Sequence, residues 1–88
     1  MFELGKITVT HSAETALRDA QQSADELIAR HRVGDWGDVT EETRQANAEA
    51  LQDGLRLESI YHTRRGEKLL VVTDADRALT SIMTPEEF

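Results

Sequence analysis

The hydrophobic period of this chain changes at Gly54, and this change limits the folds it can adopt. Between Ser12 and Gly54 apolar residues recur three and four positions apart, which is typical of amphipathic helices. After Gly54 they alternate with polar residues, which is typical of half-buried strands. With 88 residues there is material for one modest core. The pattern therefore predicts a single domain over 1–88 of the α+β class.

Two to three helices are predicted in the first half of the chain. Ser12 is expected to cap the first, and Ser23 with Glu26 has the form of a capping box for the second. Gly34 is well placed to end the second helix. The third begins after Thr40, where two carboxylates favour the positive end of the helix dipole, and it continues to the change of period.

The strands are predicted at the N-terminus and in the second half. The run Lys6–Thr10 alternates as a short strand, whereas Leu55–His62, Leu69–Val72 and Ala78–Met83 form a three-stranded antiparallel meander. Leu69–Val72 is apolar on both faces and is expected near the middle of the sheet. The helices should pack on one face of a mostly antiparallel sheet. The N-terminal strand could pair with the central strand or with an edge.

Acidity is concentrated in the middle of the chain. The net charge is −7, and residues 35–54 account for −5 of it, with one Lys or Arg against six Asp or Glu. A field of this sign repels nucleic acid and lipid head groups and favours a basic protein as partner. The sequence has no cysteine, no export signal and no apolar run long enough for a membrane span. We therefore expect a cytoplasmic protein, monomeric or homodimeric through a meander edge, without direct nucleic-acid or membrane binding.

The segment Gly34–Asp38 places the only Trp of the chain between two acids and two glycines. Trp36 either fills a small core or anchors a partner from an exposed turn, and both interpretations stay open. The acidic stretch around it also has two interpretations. It is either a solvated, well-capped helix or a carboxylate array that occupies a basic groove in the place of phosphates. In the second case the predicted partner-binding residues are Asp35, Trp36, Asp38, Glu41, Glu42 and Glu49.

Catalytic and metal-binding patterns are weak. The three histidines, His11, His31 and His62, are scattered and lack a second ligand at metal-site spacing. Asp74 and Asp76 share one predicted turn, where turn chemistry explains Asp directly. We expect no catalytic residue, no metal and no cofactor. The alternative is a small metal-assisted hydrolase or nuclease-like enzyme that uses this Asp pair with His31 or His62.

Four segments resemble small proteins encoded on bacterial plasmids and integrative elements, often labelled "plasmid-related protein". They are Gly34–Asp38, the stretch from Asn47 to Leu51, Val71–Arg77 and the ending Thr84–Phe88. The resemblance implies a mobile genetic element as the setting and supplies no catalytic residue. The expected function is that of a non-catalytic accessory protein that binds a basic partner protein through its acidic surface and inhibits a host nucleic-acid-handling or defence system.

Overall fold

Three helices and a four-stranded sheet form the fold, which confirms the predicted α+β class. The computed structural model describes residues 1–88 and orders the elements as β1 (Lys6–Val9), α1 (His11–Asp19), α2 (Ala24–Arg32), α3 (Glu41–Asp53), β2 (Leu57–His62), β3 (Lys68–Thr73), β4 (Leu79–Met83) and a 3₁₀ turn (Pro85–Glu87). None of the helices has the length and apolar character needed to cross a membrane.

The sheet is mixed and has the strand order β1-β4-β3-β2. β2 pairs antiparallel with β3, and β3 pairs antiparallel with β4, whereas β1 pairs parallel with β4. The expected three-stranded antiparallel meander is therefore an incomplete description of the sheet. The parallel pair arises because α1, α2, α3 and the first two meander strands all lie between β1 and β4. This long connection lets β4 run in the same direction as β1.

The main core lies between the first two helices and one face of the sheet. Leu17 on α1 and Leu27 on α2 are buried in the same cluster as Tyr61, Leu69 and Ile82 from the strands. Tyr61 pairs with Leu69, and Val71, two residues after Leu69, pairs with Ile82, so these side chains share one face of the sheet. A smaller cluster joins α3 and β2 to the Trp36 segment and consists of Trp36, Val39, Ala50 and Leu57.

The two ends of α3 agree with the local signals in the sequence. The Thr40 hydroxyl accepts the Thr43 N–H at 3.1 Å, which is the predicted N-cap. Gly54 follows the helix with a φ of 68°, and its N–H donates to the Ala50 carbonyl. Both caps use groups within four residues in the chain, which is why sequence inspection finds them.

The capping bonds of α1 and α2 differ from the prediction, although α2 begins directly after Ser23 as expected. Thr10, two residues before Ser12, caps α1 by accepting the Ala13 N–H at 3.2 Å. Ser23 makes no side-chain capping bond at α2. Glu26 instead accepts a hydrogen bond from Gln22 Nε2 at 3.2 Å and lies 3.7 Å from the guanidinium of Arg64 in the β2–β3 turn.

The segment after α2 closes the outer edge of β2. Trp36 O accepts the Ile60 N–H at 3.0 Å, and the Asp38 N–H donates to Ile60 O at 2.8 Å. Gly37 thereby forms a parallel bridge with Ile60. A second group protects the same edge further along: the buried Asn47 amide donates to Glu58 O at 2.7 Å and accepts the Glu58 N–H at 3.1 Å. These contacts satisfy backbone groups that would otherwise be open to another strand.

Candidate acidic interaction surface

Trp36 is part of the core and does not form an exposed anchor. Only 6% of its surface is accessible. Its ring stacks on Phe2 with a centroid distance of 5.9 Å and meets the edge of His31 at 5.5 Å. The prediction of Trp36 as a partner-binding residue is therefore corrected: the ring has no free face for a partner, because it fills the space between the N-terminal segment, α2 and α3.

Asp35 is exposed, but its charge is already neutralised. Its carboxylate accepts two hydrogen bonds from the Arg30 guanidinium, at 2.7 Å and 3.2 Å, and one from the Gly37 N–H at 3.2 Å. The Arg30 bond is the main cause that lowers the pKa of Asp35 below its usual value. The Asp35 carbonyl also accepts the Tyr61 hydroxyl at 2.6 Å. Asp35 thus holds the turn in place.

Two further predicted site residues have partners within the protein. Asp38 lies 2.8 Å from Nδ1 of His62, and Glu41 lies 3.3 Å from Nε of Arg44. All four side chains are exposed. Exposed pairs of this kind contribute about 0–1 kcal/mol, so a partner can replace them at small cost.

Glu42 and Glu49 are the predicted residues whose charge is left without a counter-ion. Both are exposed, and neither forms a salt bridge or a side-chain hydrogen bond. They are seven residues apart on α3, so they lie on one side of the helix, about 10 Å apart along its axis. Asp53, which was not among the predicted residues, lies one turn further on the same side and is also exposed. The unpaired stripe on α3 therefore consists of Glu42, Glu49 and Asp53.

A buried network of polar side chains surrounds His31 in the core. His31 is completely buried on α2, with Nδ1 2.5 Å from Ser59 Oγ and Nε2 2.9 Å from Thr73 Oγ1. Thr73 Oγ1 lies 2.8 Å from Thr80 Oγ1, which donates to Leu4 O at 2.7 Å. The sequence does not reveal these partners of His31, because the three hydroxyls come from three different strands.

The number of available protons determines the direction of every hydrogen bond in this network. Each hydroxyl has one hydrogen to donate. Since Thr80 uses its hydrogen for Leu4 O, Thr73 donates to Thr80 and must accept from Nε2 of His31. Nδ1 then accepts from Ser59. The network is complete only with a neutral imidazole that carries its proton on Nε2.

Acid is expected to destabilise the fold through His31. Burial lowers its pKa from 6.5 to about 4. The unfolded chain therefore binds more protons between pH 6.5 and 4, so this contribution is complete above pH 6.5 and is lost as the pH falls toward 4. The free energy of unfolding should decrease by up to about 1.4 kcal/mol per pH unit in this window.

Urea unfolding at a series of pH values tests this expectation, with His31→Gln as the variant that cannot titrate. Its free energy of unfolding should change less between pH 6.5 and 4.5 than that of the native chain. Equal slopes for the two proteins would show that the imidazole accepts a proton in the folded state. Carboxyl groups also titrate near the lower end of this window, but both proteins contain the same carboxyl groups, so the difference between their slopes reports His31.

The Asp74–Arg77 turn is occupied by structural contacts. Asp76 Oδ1 accepts the Ala78 N–H at 3.0 Å. The Arg77 guanidinium donates to the carbonyls of Ala50 and Leu55 at 3.0 Å and 2.6 Å, which ties the turn to the C-terminus of α3. A cation there also complements the negative end of the helix dipole.

The predicted catalytic combination of the Asp74 and Asp76 turn with a histidine is not assembled. His31 bonds to Ser59 and Thr73, and His62 bonds to Asp38. No group of three or more His, Cys, Asp or Glu side chains is placed to hold a metal ion. The hydrolase alternative therefore receives no support from the arrangement of its residues. No protein-family model, curated protein or solved structure matches this chain.

Proposed function

We propose that this protein is a non-catalytic accessory protein that binds a basic partner protein through its acidic surface. The observation that carries the proposal is the unpaired stripe on α3, where Glu42 and Glu49 have no counter-ion within the protein. Asp38 and Glu41 extend the surface at the start of the helix, and their exposed partners can be displaced. Asp35 lies next to this surface but adds little negative charge to it, because Arg30 neutralises its carboxylate. Complementary charge of this kind speeds association and selects partners.

The resemblance to plasmid-related proteins supplies the setting of this proposal. A protein of a mobile genetic element meets host proteins that handle nucleic acid, and such proteins carry basic grooves. An acidic helix that enters a groove of this kind blocks access for the nucleic acid. The proposed partner class is therefore a basic host protein of nucleic-acid handling or defence.

Removing the two unpaired charges should weaken binding of such a partner. The variant Glu42→Gln/Glu49→Gln and the control Glu3→Gln/Glu67→Gln each change the net charge from −7 to −5, the control at exposed acids outside the surface. We expect a basic protein captured from bacterial lysate by the native chain and by the control to be captured several-fold less by the α3 variant.

Capture should also decline as salt is raised, because screening weakens interactions between exposed charges. Equal capture by the two double variants would contradict the proposal, since it would show that the positions of the removed charges do not matter. Capture that is insensitive to salt would contradict it as well. Circular dichroism of each variant shows whether the fold is intact.

A further inference from the structure

The two edges of the sheet differ in how their backbone groups are satisfied. The β2 edge is closed by residues 36–38 and by Asn47, as described above. At the other edge, the Lys6 N–H donates to Ala78 O, directly before β4, at 2.9 Å, and the Thr10 N–H donates to Ile82 O in β4 at 3.0 Å. Because successive residues of a strand direct their peptide groups to opposite sides, Ile7 and Val9 direct theirs away from β4. This edge presents four backbone groups to a further strand.

Apolar surface accompanies the open edge. Ile7 is a large apolar residue and is 44% exposed. A depression of about 380 Å³ lies beside Val9 and is lined also by Leu17 and Ala24. A second depression, of about 250 Å³, is lined by Ile7 and Leu4 and also by Glu3 and Arg32, so it is mainly polar. A strand added here would bury apolar side chains as well as backbone groups.

We propose that β1 of a second copy of this chain occupies the edge, running antiparallel, so that two four-stranded sheets join into one of eight strands. Pairing Ile7 with Val9 of the second copy keeps every bonded residue within β1 and makes four backbone hydrogen bonds. The twofold axis then passes at Thr8, which faces its own counterpart. In this register Ile7 of the second copy stands beside Val9, next to the larger depression.

Charge complementarity selects a second copy over an unrelated strand. The same register places Lys6 opposite Thr10 of the second copy, and the Thr10 hydroxyl donates to Glu87 Oε1 at 2.7 Å. Glu87 Oε1 also accepts the Thr84 N–H at 2.8 Å, which holds the carboxylate in place. Lys6 has no ion-pair partner within its own chain. Opposite residues lie about 5 Å apart, within reach of a lysine side chain, and the twofold axis repeats the pair.

Sedimentation velocity of the full chain over a concentration series tests the assembly. We expect a dimer with twice the mass of one chain. Ile7→Lys should abolish it, whereas the control Val33→Lys, which changes an equally apolar residue that is 63% exposed elsewhere, should leave it intact. A monomer at every concentration would overturn the proposal, and so would a dimer that tolerates Ile7→Lys.

Charge exchange tests the ion pairs. Lys6→Glu should raise the dissociation constant about tenfold, since two exposed pairs are lost and replaced by repulsion. Adding Glu87→Lys to the same chain should restore association, because each pair is then present with its charges exchanged. A double variant that associates more weakly than Lys6→Glu alone would contradict the proposed contact.

Disulfide formation tests the register. The chain contains no cysteine, so a single Cys can link only to another copy. In the proposed register Thr8 and its counterpart form a non-hydrogen-bonded pair. Residues in such a pair have Cα atoms about 4.5 Å apart, which a disulfide can bridge. Thr8→Cys should therefore form covalent dimers under mild oxidation, whereas Ile7→Cys, whose counterpart is two residues away, should not. The reverse result would overturn the proposal, and circular dichroism verifies that both variants are folded.

Discussion

Replacing Gly37 by alanine is expected to lower the free energy of unfolding by about 2–5 kcal/mol. Gly37 has a φ of +74°, and a Cβ at this position would lie 2.1 Å from the Ile60 carbonyl oxygen and 2.7 Å from the Tyr61 ring. The oxygen cannot move away, because it accepts the Asp38 N–H that closes the β2 edge. The total free energy of unfolding of a native domain is about 5–15 kcal/mol, so the variant should lose a large fraction of its stability.

Gly54→Ala is the matched control for this prediction. Gly54 has a similar φ of +68°, but nothing lies within 4 Å of the position a Cβ would take. The free energy of unfolding of Gly54→Ala should therefore fall by only about 1 kcal/mol, which is the cost of placing a Cβ in the left-handed conformation. Urea unfolding followed by circular dichroism measures both variants. If they lose equal stability, the close approach of Gly37 to β2 is not a feature of the folded protein.

Trp36→Ala is expected to cost about 3–5 kcal/mol, the usual range for removing a large aromatic side chain from a core. The ring is almost fully buried, and its removal would leave a void beside Phe2 and the His31 network. Leu51→Ala is the control, because Leu51 is 47% exposed on α3 and its truncation should change stability by about 0.5 kcal/mol or less.

Thermal unfolding of Trp36→Ala and Leu51→Ala, followed by circular dichroism, tests this prediction. Trp fluorescence is unsuitable because Trp36→Ala lacks the only Trp of the chain. A Trp36→Ala protein as stable as the Leu51→Ala protein would show that the ring is not part of the core. The expected loss also bears on function. Weak partner binding by a Trp36 variant would report partial unfolding, whereas the Glu42 and Glu49 variants change charge without touching the core.

The turn segments have structural roles that explain their composition without reference to a partner. Gly37 allows the chain to approach β2, Asp35 binds Arg30, and Trp36 fills the smaller core. Arg77 bonds to the C-terminal carbonyls of α3. The proposed acidic function therefore depends on α3, where Glu42, Glu49 and Asp53 form no salt bridge within the protein.

Predictions from the sequence succeeded at α3, where the controlling contacts are local, whereas at α1 Thr10 takes an equally local cap in place of Ser12. The ends of α3 follow from Thr40 and Gly54, because each cap bonds a group within four residues. The α2 capping box failed because Glu26 finds Gln22 and Arg64 instead, the latter 38 positions away in the chain. The candidate site shows the same division: the acidity of α3 is visible in the sequence, whereas the pairing of each carboxylate is not.

Patterns along the sequence predict the α+β class, two to three helices, four strands and the acidic middle of the chain. Periodicity and caps carry this information, because they depend on residues that are neighbours along the chain. Long-range packing sets the parallel pairing of β1 with β4, the burial of Trp36, and the hydroxyl network of Ser59, Thr73 and Thr80 next to His31. These features join segments dozens of residues apart, and their energies depend on which groups meet when the chain closes on itself.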